Sequence, residues 1–490
     1  MLPVLALWLA AQQGRADDAR RLLGGADEAA KAKALLVGVV NDHVEVVEVL
    51  IQPPAAVPFL IIMSMVEVAA RQGNVKTLLV LLDAGGRLPR FRDSGGILRA
   101  AERGHLDVVR VLVAHKAQLE CETDCHEKTA LCLASQHGHL ATAQFLLESK
   151  ASVDARDVWG TTPLMLAATH AHRDVVELLV RSGADVNAAD ENGSTVLTKA
   201  ASSGHCATAA LLLQSKAALE GSTRRHMAPL GAAARGGHRA MTALLLAHGA
   251  AVNAVNAGET ALTEACGDNH RAVALQLLKH RASVNGVAGP NQRGHRPLYA
   301  ACLHGHFATA KMLLRHKAAV DLCDMTGWTP LICACRLNHA DIAEWLLEHK
   351  AAIDGVDQHG DTPLVHAVKE NRMPIAAMLI ARRANIEGVH APSPLVCACR
   401  HGRSHLARLL LDSKASTAGV RADTPVARCV LGWVESGSAA AAAGMAETAA
   451  AAMAETAAAG MGRTGTKAVA TAEAAAAGTA RAEADAVSWT

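Results

Sequence analysis

The sequence is short of aromatic side chains and of net charge. Its 490 residues include six tryptophans, four phenylalanines and one tyrosine. Helices packed through alanine and leucine would explain this scarcity without further assumptions. The formal net charge is +2 at pH 7, so the bulk electrostatics favours neither nucleic acid nor an anionic membrane as a partner.

Long apolar runs are also missing. Residues 57–66 are too few to cross a bilayer, and Pro58 interrupts them, so no membrane span is expected. Residues 2–11 have the length of a signal-peptide core, but no Lys or Arg precedes them. Because Leu7 also fits the repeat described below, we favour a capping helix, with a targeting signal as the alternative.

Common catalytic motifs are absent as well. The sequence contains no phosphate-binding P-loop, no H-E-x-x-H and no G-x-S-x-G. We therefore predict that the protein is not an enzyme, and that it has no catalytic residues and no cofactor.

What the sequence does contain is one phrase that returns about every 33 residues. In its clearest copy, residues 157–187, the pair Thr162-Pro163 precedes an apolar marker residue, Leu164, and the pair Leu178-Leu179 follows. The equivalent markers are Ile97, Leu131, Leu164, Leu197, Leu230, Leu262, Leu298, Leu331, Leu364 and Leu395. The chain is therefore a repeat array, and its function should be sought on a repeated surface.

Each copy has the features of two short helices. Thr162-Pro163 suits a helix start, because proline fits the first helical position. Gly or Asn seven residues after most markers accepts the left-handed backbone that ends a helix. A second amphipathic stretch follows, and neither helix could bury its apolar face alone. This order resembles the ankyrin repeat, which implies an all-α solenoid, a curved array with a helix-turn-helix and a hairpin loop in each repeat.

Weaker copies extend the array in both directions. Leu7, Leu35 and Val66 mark three copies near the N-terminus, and residues 424–426 begin a last partial copy. We count about thirteen repeats. The expected organisation is degenerate repeats over residues 1–94, a regular array over 95–435 that ends in a partial capping repeat, and an Ala-rich low-complexity tail over 436–490. The tail has too few large apolar side chains for a core, so we expect disorder, with a spacer or weak self-association segment as the alternative.

The twelve cysteines do not indicate a metal or disulfide framework. Residues 121–126 contain two cysteines and a histidine, but His137 and His139 lack zinc-finger spacing, so no metal is predicted. Four cysteines lie four residues after a marker, where other copies have alanine, and buried free thiols are expected there: Cys266, Cys302, Cys335 and Cys399. A reducing compartment, cytoplasmic and/or nuclear, is the expected location.

Histidines recur eight residues after the markers, for example His172 and His205. This is a turn position in the repeat and does not indicate a general base. The histidine that the ankyrin consensus places directly after the marker is replaced here, for example by Met165 and Thr198. The hydrogen bonds that this histidine provides between repeats must therefore be absent or replaced.

The resemblance also implies where partners bind. Ankyrin arrays use the hairpin tips and the first helices, which form the concave side. By position, the candidate partner-binding residues are Arg156, Val158, Trp159, Glu191, Asn192, Arg293, His295, Met325, Trp328, His359 and Asp361. Trp159 and Trp328 are the preferred anchors, because an exposed aromatic side chain supplies large contact area for little entropy loss. Packing against the next hairpin is the alternative role for both.

A second feature departs from the consensus, which has glycine nineteen residues after the marker. Eight copies carry a cation there: Lys116, Lys150, Lys216, Arg281, Lys317, Lys350, Arg383 and Lys414. A cation interacts favourably with the carbonyl end of a helix, which offsets part of the cost of a left-handed residue other than glycine. Stacked repeats would align these cations into a basic column able to receive an acidic or phosphorylated partner; the alternative is that the cations only cap helices.

We therefore expect a non-catalytic protein–protein interaction scaffold or adaptor, monomeric, with one or more protein partners. The alternative is a substrate-recognition or regulatory subunit of a larger enzyme assembly, such as a ubiquitin ligase. A purely structural spring or anchor is a third possibility, and it would have tips without a preferred partner.

Overall fold

The computed structural model describes residues 2–52, 58–85, 94–120, 127–220, 227–256, 258–287, 296–389 and 392–436. The chain divides into two compact units, residues 1–325 (unit 1) and residues 326–490 (unit 2). Each unit is built from short helices that alternate between the first and the second helix of a repeat. The Ala-rich tail from residue 437 lies outside the described residues.

The helices of unit 1 come in consecutive pairs, with a 3₁₀ turn at Leu23–Gly25. They are α1 (Leu2–Gln12), α2 (Ala16–Leu22), α3 (Glu28–Val40), α4 (Val44–Ile51), α5 (Phe59–Gln72), α6 (Val75–Gly85), α7 (Ser94–Arg103), α8 (Leu106–Ala114), α9 (Ala130–Gln136), α10 (Leu140–Glu148), α11 (Pro163–Thr169), α12 (Arg173–Arg181), α13 (Val196–Ser202), α14 (Cys206–Gln214), α15 (Pro229–Arg235), α16 (Arg239–Ala247), α17 (Ala261–Gly267), α18 (Arg271–Lys279), α19 (Pro297–Leu303) and α20 (Phe307–Arg315).

Unit 2 continues the pattern, and the last helix among its described residues is a first helix. Its helices are α21 (Pro330–Arg336), α22 (Ala340–Glu348), α23 (Pro363–Lys369), α24 (Met373–Ala381), α25 (Pro394–Arg400), α26 (Ser404–Asp412) and α27 (Pro425–Ser436). No helix among the described residues of either unit has the length and apolar character needed to cross a membrane.

The core runs continuously through each unit. First helices pack on first helices, as α11 does on α13 and α13 on α15, and second helices pack on second helices in the same way. The marker residues lie at the centre of these contacts; Leu164 and Leu331, for example, are fully buried. Burying a leucine contributes about 1.5–3 kcal/mol, so each repeat gains most of its stability from its neighbours.

Local chemistry sets the helix ends, as predicted. A threonine side chain accepts a hydrogen bond from the amide three residues later at the start of six first helices: Thr129, Thr162, Thr195, Thr260, Thr329 and Thr362. Such a cap is worth about 1 kcal/mol. The predicted left-handed backbone after the second helix is also confirmed, because φ is 69° at Lys150 and 65° at Lys216.

Histidines hydrogen-bond consecutive repeats of unit 1 together. The Nε2 of His172 donates to the carbonyl of Gln136 at 3.0 Å, and that of His205 donates to the carbonyl of Thr169 at 3.0 Å. Equivalent bonds are made by His43, His105, His139, His238 and His306. These histidines therefore supply side-chain hydrogen bonds between consecutive repeats. In unit 2, Arg372 makes the same bond to the carbonyl of Arg336 at 3.1 Å.

The hairpins between repeats are tight turns with little strand. In the described residues, β1 (Val255–Asn256) pairs antiparallel with β2 (Glu259–Thr260), with Val255 opposite Thr260, and a single bridge joins Ala189 to Thr195.

The predicted buried thiols are confirmed at all four positions, Cys266, Cys302, Cys335 and Cys399. Burial raises the pKa of the Cys399 thiol to about 11, so this thiol is protonated and unreactive at neutral pH. Residues 121–126 lie outside the described part of the chain.

Candidate interaction surface

The hairpin before α11 holds its tip rigidly. The Oδ1 of Asp157 accepts hydrogen bonds from the amides of Trp159 at 3.0 Å and Thr161 at 2.7 Å. Gly160 completes the turn with φ at 71°, a backbone conformation that glycine adopts without strain. The orientation of the Trp159 backbone is therefore fixed by the hairpin itself.

Adjacent hairpins of unit 1 are bonded to each other. The carbonyl of Trp159 accepts from the amide of Glu191 at 3.0 Å, and Arg156 donates through Nη1 to the carbonyl of Ala189 at 3.0 Å. Asp190 repeats the role of Asp157, because its Oδ1 accepts from the amide of Ser194 at 2.8 Å. The two tips therefore form one bonded surface.

This surface presents a mixed set of side chains. Trp159 is 46% exposed; Arg156, Glu191 and Asn192 are exposed, and Val158 is half-buried. We call these five residues the unit 1 tip surface. An aromatic side chain on a rigid backbone, beside cationic, acidic and amide groups, can bury its ring against a partner and orient that partner by hydrogen bonds.

The second predicted anchor, Trp328, lies in a different environment. It is half-buried in unit 2, with the guanidinium of Arg336 4.5 Å from its ring centroid and the ring of His366 5.7 Å away in an edge-on arrangement. Arg336 in turn pairs with Glu370 at 3.2 Å. These contacts correspond to the packing alternative for this tryptophan.

The remaining predicted tip residues are placed as follows. Met325, the last residue of unit 1, is 62% exposed, and His359 is exposed on its hairpin in unit 2. Asp361, by contrast, is buried and forms an ion pair with Lys369. Arg293 and His295 lie outside the described residues.

Asp361 belongs to a polar cluster inside its hairpin that the sequence did not single out. The Oδ1 of Asp357 accepts from the amides of His359 and Asp361 at 2.8 and 3.0 Å, and its Oδ2 accepts from Nε2 of His366 at 3.0 Å. Asp190 makes the matching contact with Lys199 at 2.7 Å in unit 1. The sequence pattern shared by these two hairpins is an aspartate followed nine residues later by a side chain that donates a hydrogen bond to it.

The charges in this cluster are set by burial and by these bonds. Burial acts to raise the pKa of Asp357, but the two amides and His366 lower it overall. Burial lowers the pKa of His366, against the raising effect of Asp357. Asp357, Asp361 and His366 bring three ligand-type atoms within 4.8 Å of one another. Because hydrogen bonds and the Lys369 ammonium already satisfy them, the arrangement suits a hairpin frame better than a cation site.

The eight cations of the predicted basic column all adopt the left-handed backbone and are all exposed. Five belong to unit 1, namely Lys116, Lys150, Lys216, Arg281 and Lys317, and three belong to unit 2, namely Lys350, Arg383 and Lys414. No side-chain ion pair is formed by any of them within the described residues.

Comparison with known proteins agrees with this architecture. The family model described as "Ankyrin repeats (3 copies)" matches residues 66–157, 151–222, 217–288 and 286–357, which together are more than half of the chain. The protein belongs to the ankyrin repeat family. Ankyrin repeats are protein-interaction modules and are generally non-catalytic. Helices α1–α4 lie before the matched region. The assignment of the first two expected repeats to this family therefore rests on their paired helices alone.

One curated relative covers only part of the array. Over 93 residues the chain is 34% identical to a protein of Oryza sativa subsp. japonica named "Probable E3 ubiquitin-protein ligase XBOS33". The matched stretch is 18% of this ankyrin repeat protein and 18% of the rice protein. The chain therefore spans less than a fifth of that relative's length.

Proposed function

We propose that this ankyrin repeat protein is a non-catalytic scaffold or adaptor that binds protein partners through its hairpin tips and concave face. The observation that carries the proposal is the rigid, exposed Trp159 on the unit 1 tip surface. Because the hairpin bonds fix the tip before binding, a partner would pay little conformational entropy to dock on it.

The rest of the proposal follows from features of the whole chain. In this proposal the protein acts as a monomer. Its partners are proteins and not nucleic acids, because its net charge is only +2. It works in the cytoplasm and/or nucleus, since buried cysteines such as Cys266, Cys335 and Cys399 are thiols, as a reducing compartment would keep them. Degenerate repeats occupy residues 1–94, the regular array runs over 95–435, and the tail from 436 tethers or spaces it.

The test is proximity labelling in cells with the intact chain, a Trp159→Ala variant and a matched Leu140→Ala variant. Leu140 is 39% exposed but lies on α10, a second helix, away from the tips. We expect Trp159→Ala to lose a defined partner set that Leu140→Ala retains, with equal circular dichroism spectra for all three proteins. An unchanged partner set in both variants would contradict binding at the unit 1 tip surface.

The rice relative supports one alternative. Its name assigns it a probable ubiquitin-ligase role, and the alternative function of this chain is the substrate-recognition or regulatory subunit of such an assembly. In that case, some of the partners that the Trp159→Ala variant no longer labels would also be less ubiquitinated in cells that carry this variant. If the ubiquitination of all lost partners were unchanged, the ubiquitin-ligase alternative would be contradicted and the scaffold role would stand alone.

A further inference from the structure

Two groups of basic side chains lie at the ends of two consecutive second helices of unit 1. Lys279, His280 and Arg281 follow one another at the end of α18, and Arg315, His316 and Lys317 do so at the end of α20. All six side chains are exposed. We call these six residues the basic patch. It lies at the second-helix ends and is therefore distinct from the hairpin tips.

The charge of this patch is not balanced by ion pairs in the part of the chain that the structure describes. None of its four cations forms an ion pair within the described residues. Elsewhere in unit 1 the charge at the same positions is reduced or balanced. Glu148 ends α10, Gln214 ends α14, and Arg181 at the end of α12 pairs with Glu177 at 2.5 Å. In the two repeats of the patch, a cation occupies both the last residue of the second helix and the position two residues later. Neither cation forms an ion pair within the described residues.

Backbone geometry does not require these cations. Arg281 and Lys317 have φ at 67° and 65°, a left-handed conformation that costs every residue except glycine. Gly183 and Gly249 fill the same position in other repeats, with φ at 88° and 90° and open space around them. Glycine would therefore be less strained than a cation at positions 281 and 317. The favourable position of a cation at a helix end offsets only part of this strain.

We propose that the basic patch binds an extended acidic segment of a protein partner. First, four unpaired cations form a site of matching charge for carboxylates or phosphorylated side chains. Second, the two helix ends belong to adjacent repeats, because α17 packs on α19 and the Oδ1 of Asn285 accepts a hydrogen bond from the amide of Ala319 at 2.8 Å. The usual spacing of neighbouring helices, about 10 Å, is the length of about three residues of extended chain. The best ligand therefore carries acidic groups at positions i and i+3, one for each repeat.

A protein segment fits the patch better than a nucleic acid. Proteins that bind single strands add aromatic side chains on which bases stack, and none of the six patch residues has a phenyl, phenol or indole ring. The patch also covers only two repeats, whereas affinity for nucleic acid grows with many phosphate contacts along a longer track.

The experiment is fluorescence anisotropy on the full chain with a labelled peptide, Glu-Gly-Gly-Glu-Gly-Gly-Glu, at low salt. The patch variant is Lys279→Gln, Arg281→Gly, Arg315→Gln and Lys317→Gly. Its matched control, Lys116→Gly, Lys150→Gly, Arg181→Gln and Lys216→Gly, removes the same number of charges from the equivalent positions of other repeats. Glycine suits the left-handed sites, so both variants should keep the wild-type circular dichroism spectrum.

We expect the patch variant to raise the Kd about tenfold, because several exposed ion pairs are lost together, and the control to change it less than twofold. Trp159→Ala should leave peptide binding unchanged, which separates this site from the unit 1 tip surface. Equal weakening in the patch variant and its control, or no binding by the wild type, would overturn the proposal. Tighter, patch-dependent binding of an oligo-dT strand would assign the site to nucleic acid instead.

Discussion

The hydrogen bonds that histidines form between repeats lead to a prediction of how local stability changes when one methyl group is added. Gly138 ends α9 with φ at 74°, and a Cβ at this position would overlap the ring of His172. That ring donates to the carbonyl of Gln136. A left-handed alanine destabilises the fold by about 1–2 kcal/mol. Replacing glycine recovers about 0.4–1 kcal/mol of this, because glycine loses more conformational entropy on folding than alanine does. Displacing the hydrogen bond costs about 1 kcal/mol more. We expect Gly138→Ala to destabilise this region by about 2 kcal/mol.

The control for the backbone contribution is Gly183→Ala, where φ is 88° and nothing lies within 4 Å of the added methyl group. It should cost about 1 kcal/mol. In a His172→Ala background, Gly138→Ala should also cost only about 1 kcal/mol, so the coupling is about 1 kcal/mol. At the equivalent position of the next repeat, Ala171 is left-handed with φ at 63° and His205 keeps its bond to Thr169. The extra cost at position 138 therefore depends on the present place of the His172 ring, whose Nδ1 would overlap the added Cβ.

The assay is native-state hydrogen exchange read by mass spectrometry on the peptides that cover α9–α12. Local opening is the appropriate quantity, because long repeat arrays do not unfold in a single two-state step. If Gly138→Ala costs no more than Gly183→Ala, or if its cost is unchanged by His172→Ala, the histidine contact is not responsible and the reasoning is refuted.

Three further predictions concern other contacts. Trp328→Ala should lower the local opening free energy of α21–α23 by about 1–3 kcal/mol in native-state hydrogen exchange, because it removes packing against Arg336 and His366; unchanged exchange in the peptides that cover these helices would contradict this. The lowered pKa of His366 means that the folded state favours the neutral imidazole. The stability it contributes is therefore present above about pH 6.5 and lost as the pH falls below that value. His366→Asn should flatten the pH dependence of the local opening free energy of α21–α23 between about pH 7.5 and 5, measured by hydrogen exchange with the intrinsic exchange rates divided out. Ala171→Gly should raise the thermal midpoint slightly, since φ is 63° there; a lower midpoint would show that the position is unstrained.

The helix ends could be predicted from the sequence because their chemistry is local. Thr162 bonds an amide three residues away, and the left-handed φ at Lys150 follows from its place at the end of a helix. The inter-repeat bonds could not be predicted in the same way. His172 was identified as a turn residue, but its acceptor lies 36 residues earlier, and only the stacking of repeats brings the two together.

The tip residues show the same limit. Trp159 and Trp328 were equally good anchor candidates by register, yet Trp159 precedes its tip glycine, whereas Trp328 follows Gly327 and meets Arg336. Asp361 follows Gly360, and its carboxylate turns toward Lys369. The position of a residue before or after the tip glycine was therefore the signal that could have separated exposed side chains from packed ones.

The most direct test of the central claim is a hydrogen-exchange footprint of the full chain with a partner recovered by proximity labelling. Binding through the unit 1 tip surface predicts slower exchange in peptides covering residues 156–162 and 189–195, with second helices such as α12 unchanged. Protection confined to the second helices, with the tips exchanging as in the free protein, would contradict a scaffold that binds through its hairpin tips.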